Sequence, residues 1–123
     1  MLAFVLPPII RPTPAATRPA STARLRILSP AEDQAFRGSP ARVEVLLALT
    51  GARIVTFTST RLVPDEGHIH LYVDGALVSM TYGLSQTLEI APGDHRLLAE
   101  FVAVDHAPFR PRVTAMVTFR VEP

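Results

Sequence analysis

The sequence predicts an all-β sandwich. Apolar and polar residues alternate along several short runs, and turn signals separate those runs at short intervals. No window carries an apolar stripe of helical period and length. Val43, Val45, Leu47 and Leu49 alternate with Arg42, Glu44, Leu46 and Ala48; Ile69, Leu71 and Val73 alternate with His68, His70 and Tyr72. Val113, Ala115, Val117, Phe119 and Val121 alternate with Thr114, Met116, Thr118 and Arg120. Side chains on a strand point to opposite faces in turn, so each run presents one face to a core.

The predicted strands span 24–29, 41–49, 53–58, 68–73, 76–82, 84–90, 95–104 and 113–121. Asp74-Gly75 marks a two-residue hairpin, because both central positions of that turn take positive φ. Ala91-Pro92-Gly93-Asp94 marks a second tight turn. Ser29-Pro30 and Ser39-Pro40 bound a loop, and 107–112, with two prolines, reads as another. Val45, Leu47, Ile69, Leu71, Leu97, Ala99, Phe101, Val117 and Phe119 are the expected shared core. Leu98, Val102 and Val104 are then expected outside with Arg96 and Glu100, as are Leu46 and Ala48 on another strand. Their cover is the loop at 58–67, the N-terminal run or another protein.

Seven to eight short antiparallel strands at this spacing fit a sandwich, and one segment makes it immunoglobulin-like. In such domains a tyrosine at the start of strand F, two residues before a core position, ties a turn to the strand. Gly93-Asp94-His95-Arg96-Leu97-Leu98-Ala99 has that phrasing with His95 in the tyrosine's place.

Three motifs stand in order: Gly67-His68-Ile69-His70-Leu71-Tyr72-Val73-Asp74; Pro92-Gly93-Asp94-His95-Arg96-Leu97; and Asp105-His106 with Pro108 and Pro111 nearby. Over residues 24–122 the chain resembles uncharacterised bacterial domains, exported or membrane-tethered, that share these motifs. The resemblance implies an immunoglobulin-like fold and an extracytoplasmic location, and it carries no activity. Some relatives hold further histidines where Ile69 and Ala107 stand here, a departure that weakens any inherited metal site.

Residues 1–23 read differently from the rest. Met1–Ile10 is apolar, broken by Pro7 and Pro8, and shorter than the roughly 20 residues that span a bilayer. It reads as the remnant of an export or anchor segment whose true start lies upstream; a disordered apolar tail and an extended strand on this or a neighbouring domain are the alternatives. Residues 11–23 read as a Pro/Ala/Thr-rich linker. The domain proper is expected at 24–123, with 1–23 adding little to its stability.

Composition bounds the function. The 123 residues are 48% hydrophobic and 19% charged, with a net charge of +1, which suits one globular domain. Every cation is an arginine, and the arginines are scattered, so nucleic acid is not an expected partner. The absence of cysteine removes disulfides, thiol nucleophiles and thiolate metal sites. No Gly-x-Ser-x-Gly elbow, carboxylate pair at a defined spacing or phosphate-binding loop occurs, so no catalytic residue is assigned and a hydrolase ranks last.

The expectation is therefore a non-catalytic extracytoplasmic module for protein contact or self-assembly, touching a membrane only through an N-terminal anchor. The alternative is a periplasmic Cu- or Zn-binding domain. His68 and His70, one residue apart on a strand, share a face, and His106 is the third candidate ligand. His95 is a poorer ligand because the turn holds it. Against the metal reading, His68, His70 and Tyr72 form the polar outer face of a strand, their rings bonded to neighbours, and Asp105 caps the loop that follows it.

Overall fold

The computed structural model describes residues 18–80 and 83–123. The apolar run at 1–10, most of the linker and the end of the predicted strand 76–82 lie outside them. Nine strands fall within the described residues: β1 (Arg24–Ser29), β2 (Gln34–Arg37), β3 (Ala41–Thr50), β4 (Arg53–Ile54), β5 (Glu66–Val73), β6 (Ala76–Ser79), β7 (Ser85–Ile90), β8 (Gly93–Ala103) and β9 (Pro108–Glu122). They form two sheets, one ordered β1-β3-β7 and the other β2-β9-β8-β5-β4, with β6 added to the edge of β5.

The inner faces of the two sheets supply the core. Leu25, Val43, Val45 and Leu47 from the smaller sheet meet Ile69, Leu71, Leu97, Ala99, Phe101, Val117 and Phe119 from the larger, and all are buried. The nine residues expected to share a core do so. Removal of this apolar surface from water is the main force that holds the sheets together.

The Asp74-Gly75 hairpin forms as expected. Both residues have positive φ, 52° and 87°, and Val73 pairs directly with Ala76 across the two-residue turn.

Four features depart from the sequence reading. Beyond β4, residues 55–65 leave the predicted strand 53–58 and run as a loop, since Arg53 and Ile54 already complete a short parallel pairing with Glu66 and Gly67. The stretch between the two Ser-Pro pairs contains β2, which runs parallel to the end of β9 and sets Phe36 edge-on to the Phe119 ring at 5.9 Å. These two short pairings are the exceptions to an otherwise antiparallel arrangement.

The third departure lies in the β8–β9 hairpin. Phe101 pairs with Val113, but its neighbour Val102 pairs with Pro108, so residues 109–112 bulge out of the ladder. The bulge turns Phe109 inward, where its ring stacks on Phe101 at 5.6 Å, and brings Arg112 over Glu100. A stretch that reads as a proline-bearing loop is thus part of a strand.

The fourth concerns the outer face of the larger sheet. Val102, Val104 and Glu100, expected outside, are buried. The loop after β4 lies over this end of the sheet: Ser59 donates its N–H to the Val104 carbonyl and Val55 donates to that of Gly67. Residues 18–23 are held there too. Arg18 makes a two-pronged ion pair with Asp105 (2.6 and 2.9 Å) and donates to the carbonyls of Ala107 and Pro108. Arg110 donates its N–H to the Pro19 carbonyl, and the Ser21 hydroxyl donates to that of Pro64. The end of the segment read as a free linker is therefore bonded to the sandwich.

Candidate functional site

Register decides what the outer face of the larger sheet presents. His68, His70 and Tyr72 on β5 stand opposite Val102, Glu100 and Leu98 on β8. Glu100 and Leu98 in turn stand opposite Thr114 and Met116 on β9. Direct partners in a ladder share a face. The outer face is thus a grid whose rows change from histidine and carboxylate at one end to apolar side chains at the other.

The histidine end is covered. The turn Ala103–Ala107, closed by hydrogen bonds of 2.8 and 2.9 Å, places His106 at φ 67°, the left-handed region that histidine enters at modest cost. That conformation brings the ring over β5. His70 Nε2 and His106 Nδ1 lie 3.1 Å apart with the rings nearly parallel, and His106 Nε2 is hydrogen-bonded to the Thr58 hydroxyl at 3.2 Å. His68 packs against His106 with 4.4 Å between ring centres and the planes tilted by 42°, and donates from Nε2 to the Phe57 carbonyl at 2.8 Å.

The three histidines singled out in the sequence are therefore brought together. Two present nitrogens to each other and the third packs beside them with its ring tilted. Among the described residues, no three or more His, Asp or Glu groups converge as a ready ligand set. Burial pushes the His68 and His70 rings below the ordinary imidazole value; nearby His106 adds to this, while the Phe57 carbonyl opposes it at His68 and Glu100 opposes it at His70. Both rings are neutral at neutral pH.

In the next row Glu100 is fully buried, and both of its oxygens accept from Arg112 at 2.8 Å. The Arg112 side chain is itself 61% exposed, so the pair joins the sheet interior to its surface. The sequence alone gave no sign of this pair, because the β8–β9 bulge that makes it depends on how 107–112 folds.

At the opposite end His95 occupies the corner assigned to it. Nδ1 donates to Asp74 (2.7 Å) and Nε2 to the Ala91 carbonyl (2.7 Å), so the ring ties the turn before β8 to the β5–β6 hairpin. Both partners are acceptors, an arrangement that favours the doubly protonated ring. Burial lowers its pKa, but Asp74 and the Ala91 carbonyl outweigh that and leave it raised; the same bond to His95 holds Asp74 below its usual value. A raised histidine contributes stability fully below its unfolded value near 6.5 and loses it as pH rises through the folded value. A lowered aspartate contributes above its unfolded value of 3.8 and loses that as pH falls through the folded one. The pair is therefore strongest between these limits. His95→Gln is expected to lower stability more at pH 5.5 than at pH 8.5, as read by urea denaturation at each pH. Equal losses at both pH values would contradict an imidazolium at this corner.

Between the two ends lies an open apolar band. The β6 register sets Leu77 opposite Tyr72, so Leu77, Tyr72, Leu98 and Met116 form one row across four strands. At about 4.8 Å per strand the row is roughly 14 Å wide. Its ends are open to solvent, Leu77 at 46% and Met116 at 57% exposure. Tyr72, Leu98 and Met116 line a shallow depression with Arg96, Arg112 and Thr114. This row went unread in the sequence, although a signal was there: a two-residue Asp74-Gly75 turn pairs Val73 with Ala76 and hence Tyr72 with Leu77.

Two packed sheets, the antiparallel β5–β8 pair at the centre of one, and a side chain that ties the turn before β8 to the strand define an immunoglobulin-like β-sandwich. The same fold is seen in the fibronectin(III)-like modules of CbhA from Clostridium thermocellum, to which the chain is similar at a TM-score of 0.55 and 12% identity, over 80% of this chain and 95% of the module. No family model and no curated protein matches the chain.

Proposed function

We propose that this domain is a non-catalytic, extracytoplasmic module that contacts protein through the outer face of its larger sheet. One observation carries the reading: the Leu77–Tyr72–Leu98–Met116 row is a continuous apolar band at a sheet surface, flanked by Arg96 and Arg112. Aromatic, methionine and arginine side chains around an apolar centre are the composition of protein interfaces. Arg96 suits a partner segment that carries a carboxylate beside its apolar residues. The acid–base groups elsewhere on this face are engaged in structure, with His68, His70 and His106 bonded under the loop and Glu100 paired with Arg112. The apolar run at 1–10 and the Pro/Ala/Thr-rich stretch after it support the extracytoplasmic location.

Leu77→Glu with Met116→Glu tests the reading, because both side chains are exposed and neither supports the core. Association is measured by sedimentation velocity for self-assembly and by co-purification from the envelope fraction for a second protein. The double variant is expected to weaken whichever association the native chain shows by at least about tenfold, the effect of losing a central contact. Leu28→Glu, an equally exposed site on the smaller sheet, is expected to leave it intact. Undiminished association of the double variant would overturn the proposal.

A further inference from the structure

Among the described residues β6 pairs with β5 alone, so its far side is an open edge of the larger sheet. An open strand edge is a row of backbone donors and acceptors that accepts another strand, and folded proteins guard it with charged side chains or proline. The other strands at sheet edges follow that rule: β1 carries Arg24 and Arg26, β2 Arg37, β4 Arg53 and β7 Glu89. From Ala76 to Met80 there is neither charge nor proline, and Leu77, Val78 and Met80 are exposed. We infer that β6 pairs with β6 of a second copy of this chain, antiparallel and in a register that sets Leu77 opposite the partner's Leu77.

The register follows from the hairpin. Val73 and Ala76 flank its two-residue turn as direct partners, the pair that bonds across such a turn, so Ala76 faces its backbone groups to β5. Those groups alternate in direction along an antiparallel strand, and Leu77 therefore turns its N–H and C=O to the open side. Two Leu77 residues brought together about a twofold axis exchange both bonds, which closes the assembly at two copies. Directly paired side chains share a face, so the Leu77–Tyr72–Leu98–Met116 rows of the two copies run on as one. Charge favours a second copy as the occupant: β1 paired with itself sets arginines beside arginines, whereas no like charges meet along β6. The shift of register between Leu71 and Tyr72 ends regular pairing near Ser79 and keeps the contact short. A contact of this length is smaller than the roughly 800 Å² that each partner gives a standard interface, so the dimer is weak. The pairing uses the strand edge and not the sheet face, so it and the proposed face contact can fail separately.

Sedimentation velocity of the full chain, up to about 1 mM, tests the pairing. A concentration-dependent monomer–dimer equilibrium is expected, without larger species. Leu77→Pro removes the outward N–H while the β5 side of the hairpin keeps its bonds, and is expected to raise the dissociation constant at least about tenfold. Val78→Lys, a charge on the edge, is expected to do the same. Met116→Glu, at the far end of the row, is expected to leave the dimer unchanged, which separates edge pairing from contact through the face. Because the chain has no cysteine, Leu77→Cys gives a second reading. Paired Cα atoms about 5.5 Å apart lie within disulfide range, so mild oxidation is expected to link two copies. Leu28→Cys, similarly exposed on the smaller sheet, is expected to stay unlinked. A chain that remains monomeric at the highest concentration, or a dimer that persists in Leu77→Pro with native circular dichroism, would overturn the inference. So would loss of the dimer in Met116→Glu, or equal cross-linking from position 28.

Discussion

Phe101→Ala is expected to destabilise the domain by about 3–5 kcal/mol, the usual cost of removing a buried aromatic ring. Phe101 lies in the centre of the larger sheet with no exposed surface, stacked on Phe109 from the β8–β9 bulge. Truncation removes the ring's apolar burial and also leaves Phe109 without its partner. Backbone bonds of β5 and β9 flank the position on both sides, so the hole has little freedom to collapse. Urea denaturation measures the effect as a lower midpoint at an unchanged slope. A loss under about 1 kcal/mol would mean that Phe109 does not pack on this ring.

Gly67→Ala is expected to cost about 3 kcal/mol or more, at the upper end for overpacking, although only a methyl group is added. A Cβ at Gly67 would stand 2.0 Å from the Val102 carbonyl oxygen and 2.8 Å from the Phe101 ring. The ring has some room to yield, but the carbonyl belongs to β8 at the step where its register with β9 shifts. Phe101→Leu in the same chain is therefore expected not to rescue the variant. Rescue would place the clash on the side chain and not on the backbone. This contact gives the glycine of the Gly-His-x-His motif a physical reason: it lets β5 approach the bulged strand just before the histidines.

The sequence shows most clearly where local chemistry decides. Alternation in β3, β5, β8 and β9 places the core, and the Asp74-Gly75 pair sets its hairpin without help from distant residues. His95 was legible because its corner is a short-range device, with partners four residues back and in an adjacent turn. The histidines were legible as a group, since His68 and His70 share a face and the β5–β8 pairing brings the following turn above them.

What stayed hidden depended on non-local pairing. Period two sends Glu100, Val102 and Val104 outward, and they are outward from the core; it cannot say that a second layer covers them. That layer is a loop with no periodicity and a proline-rich segment bonded through Arg18, neither of which carries a pattern. β2 is four residues long and half-buried only at Phe36, too short for alternation to register. The Glu100–Arg112 pair and the stacked Phe101–Phe109 rings both follow from one bulge whose position is set by the whole hairpin.

The reading of the apolar band as a protein-contact surface is tested most directly by photo-cross-linking in intact native cells. A photoreactive side chain is placed at position 116, at position 77 or, on the smaller sheet, at position 28; all three are open to solvent. The same discrete adduct is expected from positions 116 and 77, at the two ends of a row that spans four strands, and none from position 28. No adduct from position 116, or an identical set from position 28, would contradict it.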